Sequence, residues 1–423
     1  MTRRAAALAA LSGAALSLLL TGCSLAAPHV AATKLHIRLT PLGSVEDEPM
    51  SIVVSGLAAG QTATLGLSST DAKGFRWASS VTFRATPDGL IDTSSSQPVS
   101  GSYTRTSAMG LVWSMTPGRK DPYGAYFWAA SAMSFTLAVS LQGTVAARTK
   151  FTRRFSSANF TEESEGLDAT GFVGQYFAPI GSAQPTNRAI LYFGGSNGGL
   201  ASPLVPGLLA AHGYRVLSLA YFKEPGLPQT LSMIPLEYFA KALQWLDQQQ
   251  GVDPQRTIVW GVSRGSEAAQ LLGVNYPGLV HGVVALVPSD AAICSFPGCA
   301  GPAWTLHRLA IPFTSQFDNP VPTDDPAAVI QIERIIGPIL LDCAGEDEVW
   351  SSCPYADAMM SRLDHAGSQY LHVLYSYPNA GHDIGEALPY EPFASPNADP
   401  HYTANQTARG DLWPHILTFL SSA

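Results

Sequence analysis

The sequence predicts a two-part chain, an all-β first part and a second part built on a parallel sheet layered by helices. Three observations carry this. Short strand-like runs separated by Gly, Pro and Asp turn signals fill residues 34–160 at the spacing of a sandwich. From Arg188 onward apolar runs alternate with helical patterns, as in a sheet with crossover helices. Between one such run and one such helix lies Gly261-Val262-Ser263-Arg264-Gly265, the G-x-S-x-G of a strand–turn–helix nucleophile elbow. Together they specify an immunoglobulin-like β-sandwich N-terminal domain plus an α/β-hydrolase C-terminal domain.

Bulk properties agree. At 423 residues, two domains are the natural reading, and 46% apolar against 13% charged residues supplies ample core. The formal net charge of −8 without a long basic run argues against nucleic acid as a partner.

Residues 1–23 stand outside the fold. Thr2-Arg3-Arg4 is a basic start, Ala5 to Leu20 is apolar and short for a membrane span, and Leu20-Thr21-Gly22-Cys23 follows. This resembles a bacterial lipoprotein signal with its lipobox. The resemblance implies cleavage before Cys23, lipid on that thiol, and an exported chain anchored to the cell membrane or envelope, with residues 24–33 as tether. Four cysteines remain, and an exported chain permits two disulfides. Cys294–Cys299 and Cys343–Cys353 each close a short loop, although three connectivities are formally open. No C-x-x-C pair suggests a metal.

In the first part, residues 36–40, 51–55, 63–68, 81–85 and 134–139 read as strands. Met109 to Met115, rich in large apolar side chains, reads as a core strand or a face packed on the second part. Residues 161–188 read as a connection: Thr161 to Gly166, polar and acidic, as a surface linker, and Phe172 to Pro179 as an edge strand.

The catalytic part spans residues 189–423. Ala189-Ile190-Leu191-Tyr192-Phe193 has the continuous apolarity of a strand buried on both faces. The loop Gly194 to Gly199 lacks both the G-K-[ST] of a phosphate loop and the G-x-G-x-x-G of a dinucleotide site, so no cofactor is expected. After an early strand it suits an oxyanion loop, with Gly195, Ser196 or Asn197 as donor, while the amide of Arg264 supplies the other. A helix near 203–212, a strand at 214–220 and an amphipathic helix through Leu236, Phe239, Ala240, Leu243 and Leu246 lead to the elbow. Beyond the strand at 282–288, residues 289–335 form an irregular excursion, in the place where hydrolases often carry a cap.

A nucleophilic serine needs a base, and the base an orienting acid. The strand Pro338 to Cys343 delivers Glu346, Asp347 and Glu348 to the sheet's C-terminal end, where all three compete for the role; Asp342 lies inside the strand. His382 follows Gly381 after the last strand. Of the ten histidines it alone is placed to reach Ser263, with His401 as runner-up and His372 structural. The order serine, acid, histidine is that of the fold.

These residues resemble the acyl-CoA thioesterase and bile-acid-CoA:amino-acid N-acyltransferase family over about residues 35–420. The resemblance lies in Val54-Ser55-Gly56-Leu57, Gly101-Ser102-Tyr103, the stretch 109–115, the Gly194–Gly199 loop, Leu219-Ala220-Tyr221-Phe222, Gly226-Leu227-Pro228, Leu236-Glu237-Tyr238-Phe239, the elbow, the acid loop and Gly381-His382. It implies Ser263 as nucleophile and His382 as base. It also favours Asp347 as acid, because Trp350 stands three residues on, as in the family. Ala344 stands where a glycine is usual, and Glu348 stays the alternative acid. The transferase branch uses cysteine, so serine favours hydrolysis.

An acyl thioester hydrolase acting through an acyl-enzyme is therefore expected. An exported chain would seldom meet coenzyme A, which keeps open an ester or amide hydrolase on another acyl compound. A surface protein that only binds is a third reading, and the complete triad order weighs against it. Arg188, Arg215, Lys223, Arg256 and Arg264 are candidates for coenzyme A phosphates.

Overall fold

A computed structural model describes residues 34–120, 126–129, 132–181, 186–393 and 398–422. The signal, Cys23 and the tether lie outside the described residues.

Strands β1 (His36–Thr40), β2 (Ser51–Ser55), β3 (Thr62–Thr70), β4 (Arg76–Arg84), β5 (Ile91–Asp92) and β6 (Pro98–Gly101) open the chain. A one-turn helix α1 (Gly110–Trp113), then β7 (Thr116–Pro117), β8 (Met133–Leu141) and β9 (Thr144–Arg153) follow. They form two antiparallel sheets, β1-β2-β5 and β6-β4-β3-β8-β9, with β7 paired to β4. In β3, β4 and β8 buried and accessible residues alternate, the period-two signature of a sheet with one wet face. Leu65, Leu67, Trp77, Phe83 and Leu137 from the larger sheet share one core with Ile52, Val54 and Ile91 from the smaller.

Residues 109–115 differ from the strand expected. They hold α1, which is buried, and its Gly110 leaves room for the Tyr103 ring that a methyl would strike. The alternative expectation, a packed face, describes them: Trp113 meets Tyr402 edge to face, 5.8 Å between centroids.

The strand expected at Phe172 to Pro179 is present but lies inside the sheet edge, and the acidic stretch expected as a surface linker is itself a strand. β10 (Asn159–Glu165) and, after the short α2 (Leu167–Thr170), β11 (Val173–Ile180) pair antiparallel and join the main sheet. The acidic stretch is thus the outermost strand. Glu162 and Glu163 stay exposed there, a placement suited to keeping another chain from adding to the edge.

The main sheet gains β12 (Ala189–Phe193), β13 (Arg215–Ala220), β15 (Thr257–Val262), β16 (Val283–Leu286), β19 (Ile339–Ala344) and β20 (His372–Tyr377), all parallel, in the order β10-β11-β13-β12-β15-β16-β19-β20. Helices α3 (Leu204–Ala211) and α7 (Tyr402–Ser422) cover one face. Helices α4 (Leu236–Leu246), α5 (Arg264–Asn275) and α6 (Ser352–His365) cover the other. Short strands β14 (Ile234–Pro235), β17 (Trp304–Leu306) and β18 (Leu309–Ala310) make a side sheet. The chain leaves β12 for β13 on one side and returns to β15 on the other. That reversal opens a crevice at the carboxyl ends of β12 and β15, the usual ligand position in such sheets.

Candidate active site

Ser263 sits at that crevice, between β15 and α5. Its backbone takes φ 53° and ψ −124°, strained for a residue with a side chain. The flanking glycines permit it: a methyl on Gly261 would collide with the Gly265 carbonyl, and one on Gly265 with the Gly194 carbonyl. The Ser263 N–H donates to Leu286 O at 2.9 Å and the Ser266 N–H to Ser263 O at 2.8 Å, which fixes the turn.

His382 begins a 3₁₀ turn, His382–Glu386, after β20. Its Nε2 lies 2.9 Å from Ser263 Oγ, and its Nδ1 lies 2.9 Å from both oxygens of Asp347. The Asp347 side chain is 1% exposed and also accepts the N–H groups of Val349 (3.0 Å) and Trp350 (3.2 Å). A carboxylate at Nδ1 holds the proton there and leaves Nε2 free to accept from the serine.

The competing residues lie elsewhere. Glu348 accepts the His382 backbone N–H at 3.3 Å, not the ring. Glu346 is exposed. Asp342 is buried in β19 with Oδ1 2.5 Å from the Val287 nitrogen, and burial pushes its carboxyl up to about 7. His401 lies against Gly381, and His372 bonds Asp364 and the Tyr370 carbonyl.

Gly195 approaches the nucleophile closely, since a methyl there would stand 2.8 Å from Ser263 Cβ and 3.2 Å from Oγ. The Tyr221 hydroxyl donates to the carbonyls of Gly194 (2.9 Å) and Gly195 (3.1 Å). In trans peptides the N–H opposes the C=O, so the amides of Gly195 and Ser196 point away from Tyr221. Asn197 instead uses its carbonyl to accept from Lys223 Nζ at 3.1 Å. Arg264 opens α5, and its N–H has no intrahelical partner. The part played by Tyr221 was not foreseen; its signal was an aromatic just past a strand end.

Sequence reasoning also missed Val287 and the function of the Trp350 ring. Val287 has φ 40°, an outlier for a β-branched residue. Its N–H donates to Asp342, and its carbonyl accepts from Trp350 Nε1 at 3.0 Å. The Trp350 ring stands edge-on to the His382 imidazole, 5.7 Å between centroids.

The Arg264 side chain is committed. Its Nε bonds Glu267 at 2.6 Å, and one terminal nitrogen bonds the carbonyls of Ile293 (2.8 Å) and Cys294 (2.9 Å). Glu267 also accepts from Trp304 Nε1 at 2.7 Å. This buried pair fastens the excursion 289–335 to the first turn of α5. The excursion packs along α4 and α5, and none of the triad's hydrogen bonds reaches it. Disulfides join Cys294 to Cys299 and Cys343 to Cys353.

Arg188, Arg215 and Arg256 stand at the amino ends of β12, β13 and β15, one strand length or about 20 Å from Ser263. They cannot hold a group near the nucleophile. Lys223 alone of the five expected cations borders the glycine loop. A 170 Å³ cavity adjoins that loop, bounded by Tyr192, Gly195, Asn197, Val262 and Glu386, and a 410 Å³ cleft runs beside Glu348, Asp383, Tyr402 and Arg409. Among the described residues no group of three His, Cys, Asp or Glu could hold a metal ion.

A parallel sheet with a serine, an acid and a histidine in that chain order at its carboxyl end defines an α/β-hydrolase. Two family models then match the chain. "Acyl-CoA thioester hydrolase/BAAT N-terminal region" covers residues 47–164, and "BAAT / Acyl-CoA thioester hydrolase C terminal" covers 234–298 and 304–423. Acyl-coenzyme A thioesterase 6 of Mus musculus is 30% identical over 414 residues, covering 90% of this chain and 95% of its own. Acyl-coenzyme A thioesterase 1 of Rattus norvegicus is 28% identical, covering 91% and 94%. Among solved structures, a putative dienelactone hydrolase from Klebsiella pneumoniae aligns with TM-score 0.43 at 14% identity, covering 63% of this chain and 100% of that one. The chain belongs to the acyl-CoA thioester hydrolase/BAAT family, and it is a hydrolase.

Proposed function

We propose that the protein cleaves acyl thioesters through an acyl-enzyme on Ser263. The unbroken run from Ser263 Oγ through His382 to Asp347, each step 2.9 Å, carries this reading. As Ser263 Oγ attacks the carbonyl carbon, its proton passes to His382 Nε2, and Asp347 stabilises the imidazolium. The tetrahedral oxyanion is met by the Arg264 amide and by the amide of Gly195 or Ser196. On collapse the carbon–sulfur bond breaks and His382 returns the proton to the departing thiolate. Water, deprotonated by His382, then attacks the acyl-enzyme, releasing the carboxylic acid and restoring the serine.

A second reading keeps the chemistry and changes the carrier: an exported hydrolase of esters or amides on a compound other than coenzyme A. The position of Arg188, Arg215 and Arg256 at the amino ends of their strands, the opposite end of the sheet from the crevice, favours it. We also propose lipid attachment at Cys23, anchoring to the bacterial membrane or envelope, and an immunoglobulin-like sandwich for the two N-terminal sheets.

The test is a hydrolysis panel of acyl-CoAs beside simple acyl esters. Ser263→Ala should lower turnover by at least about 10⁴-fold on every substrate cleaved. Full activity in that variant would end the mechanism, and cleavage of esters alone would select the second reading.

A further inference from the structure

The two parts of the chain carry opposite charge. Residues 34–160 hold 12 Lys and Arg against 7 Asp and Glu, a net of +5, while residues 161–423 hold 10 against 25, a net of −15. The positive excess has a location. Strands β3, β4, β8 and β9 contain no Asp or Glu at all. Their aromatic residues, Trp77, Phe83, Phe135 and Phe151, turn into the core. The other side faces solvent. It presents Arg76 and Arg84 along β4 and Arg148 and Lys150 along β9, all exposed. Among the described residues none of these four is ion-paired.

The register places Ser68 of β3 and Thr136 of β8 between the two cationic strands, beside Lys150. Three strand spacings, about 14 Å, separate the rows. The result is a trough of 660 Å³ with a small, hydroxyl-bearing floor and cationic walls.

We propose that this sheet face docks the protein on an anionic lipid bilayer. The four cations meet headgroup phosphates, and the floor hydroxyls donate to phosphate oxygens. Charge complementarity selects an anionic partner, and the outward side of these strands offers no aromatic ring for stacking on a sugar. The choice of a bilayer rests on the lipid-anchor reading. Cys23 lies 12 residues before Leu35, the start of the compact unit, so an acyl chain there would hold that unit within about 40 Å of the membrane. The strongly negative remainder is repelled by the same surface, which turns the hydrolase part outward.

The test uses residues 35–423, the unit that contains every described core, without lipid. Co-sedimentation is measured with phosphatidylcholine vesicles and with vesicles containing roughly one-third phosphatidylglycerol. Binding should require the anionic lipid and vanish at high salt. The combined variant Arg76→Gln, Arg84→Gln, Arg148→Gln, Lys150→Gln should bind roughly 600-fold more weakly, given about fivefold per surface cation. It should melt at the parent's temperature and keep its rate on a soluble acyl ester. Replacing Arg188 and Arg256 by Gln should leave vesicle binding unchanged. Equal binding to neutral vesicles, undiminished binding by the fourfold variant, or binding to an acidic polysaccharide but not to vesicles would overturn the proposal. The anchor is read separately, from the mass of the exported full-length chain, so either idea can fail alone.

Discussion

Val287 ties together the three segments that bear the triad. Leu286, just before it, accepts the Ser263 N–H. The Val287 carbonyl receives the indole of Trp350, from the Asp347 loop, and the Val287 side chain lies where any Cβ on Gly385, in the His382 turn, would have to sit. A left-handed backbone at a valine persists only when its surroundings over-determine it, and here two buried side chains, Asp342 and Trp350, grip its two peptide groups. Replacing Trp350 by Phe removes one grip and keeps the ring edge against His382. That should cost about tenfold in kcat, the worth of one buried hydrogen bond, with KM little changed. Steady-state kinetics on an acyl ester measures it. The acid is assigned by a matched pair. Asp347→Asn should lower kcat by roughly 10⁴-fold, because the imidazole loses its orienting charge, whereas Glu348→Gln keeps an acceptor for the His382 N–H and should stay within about threefold. Ser263, His382 and Asp347 were legible because each stands at a strand end in the fold's order, and Trp350 separated Asp347 from its neighbours. Val287 and Tyr221 were not, since their roles arise from backbone groups that meet only after folding.

Among the elements, strand β12 and the elbow announced themselves through continuous apolarity and glycine spacing. β10 did not. Its Thr-Glu-Glu-Ser-Glu run has the composition of a loop, and its strand state comes from pairing with β11 along seven residues. α1 was hidden for the opposite reason: four apolar residues in one turn have no periodicity to read. The glycine loop depends on another element for its shape. With Tyr221→Phe the carbonyls of Gly194 and Gly195 lose their donor, and kcat should fall by about 10- to 100-fold, less than the loss of an oxyanion amide itself. Loss of the pre-steady-state burst with a chromogenic ester would locate the defect in acylation. The Cys294–Cys299 bridge holds the excursion beside the Arg264–Glu267 pair. Its double alanine variant should lose roughly 2 kcal/mol by chemical denaturation, the chain-entropy value for so short a loop.

For the molecule as a whole, stability should depend on pH. Burial pushes Asp290 up to about 6, Asp342 up to about 7 and Glu391 up to about 8. In the unfolded chain these groups ionise near 4. Between pH 4 and these folded values the native state binds more protons than the unfolded one, so stability declines as pH rises through that window. The melting temperature should therefore rise by several degrees from pH 8 to pH 5, and Asp342→Asn should flatten the trend, as calorimetry can show.

The Tyr402 hydroxyl donates to the Trp113 carbonyl at 2.5 Å, and the Tyr126 N–H donates to Pro392 O at 3.3 Å. Asp47 accepts from His212 and from Trp413. The amino-terminal part thus braces Pro392, Tyr402 and Trp413, downstream of the catalytic histidine. In evolutionary terms the sheets and the hydrolase should be inherited as a pair. A recombination event that exchanged one for a foreign counterpart would leave the histidine's downstream support without its matching surface, so lineages of this enzyme should diversify by substitution within both parts and seldom by shuffling them.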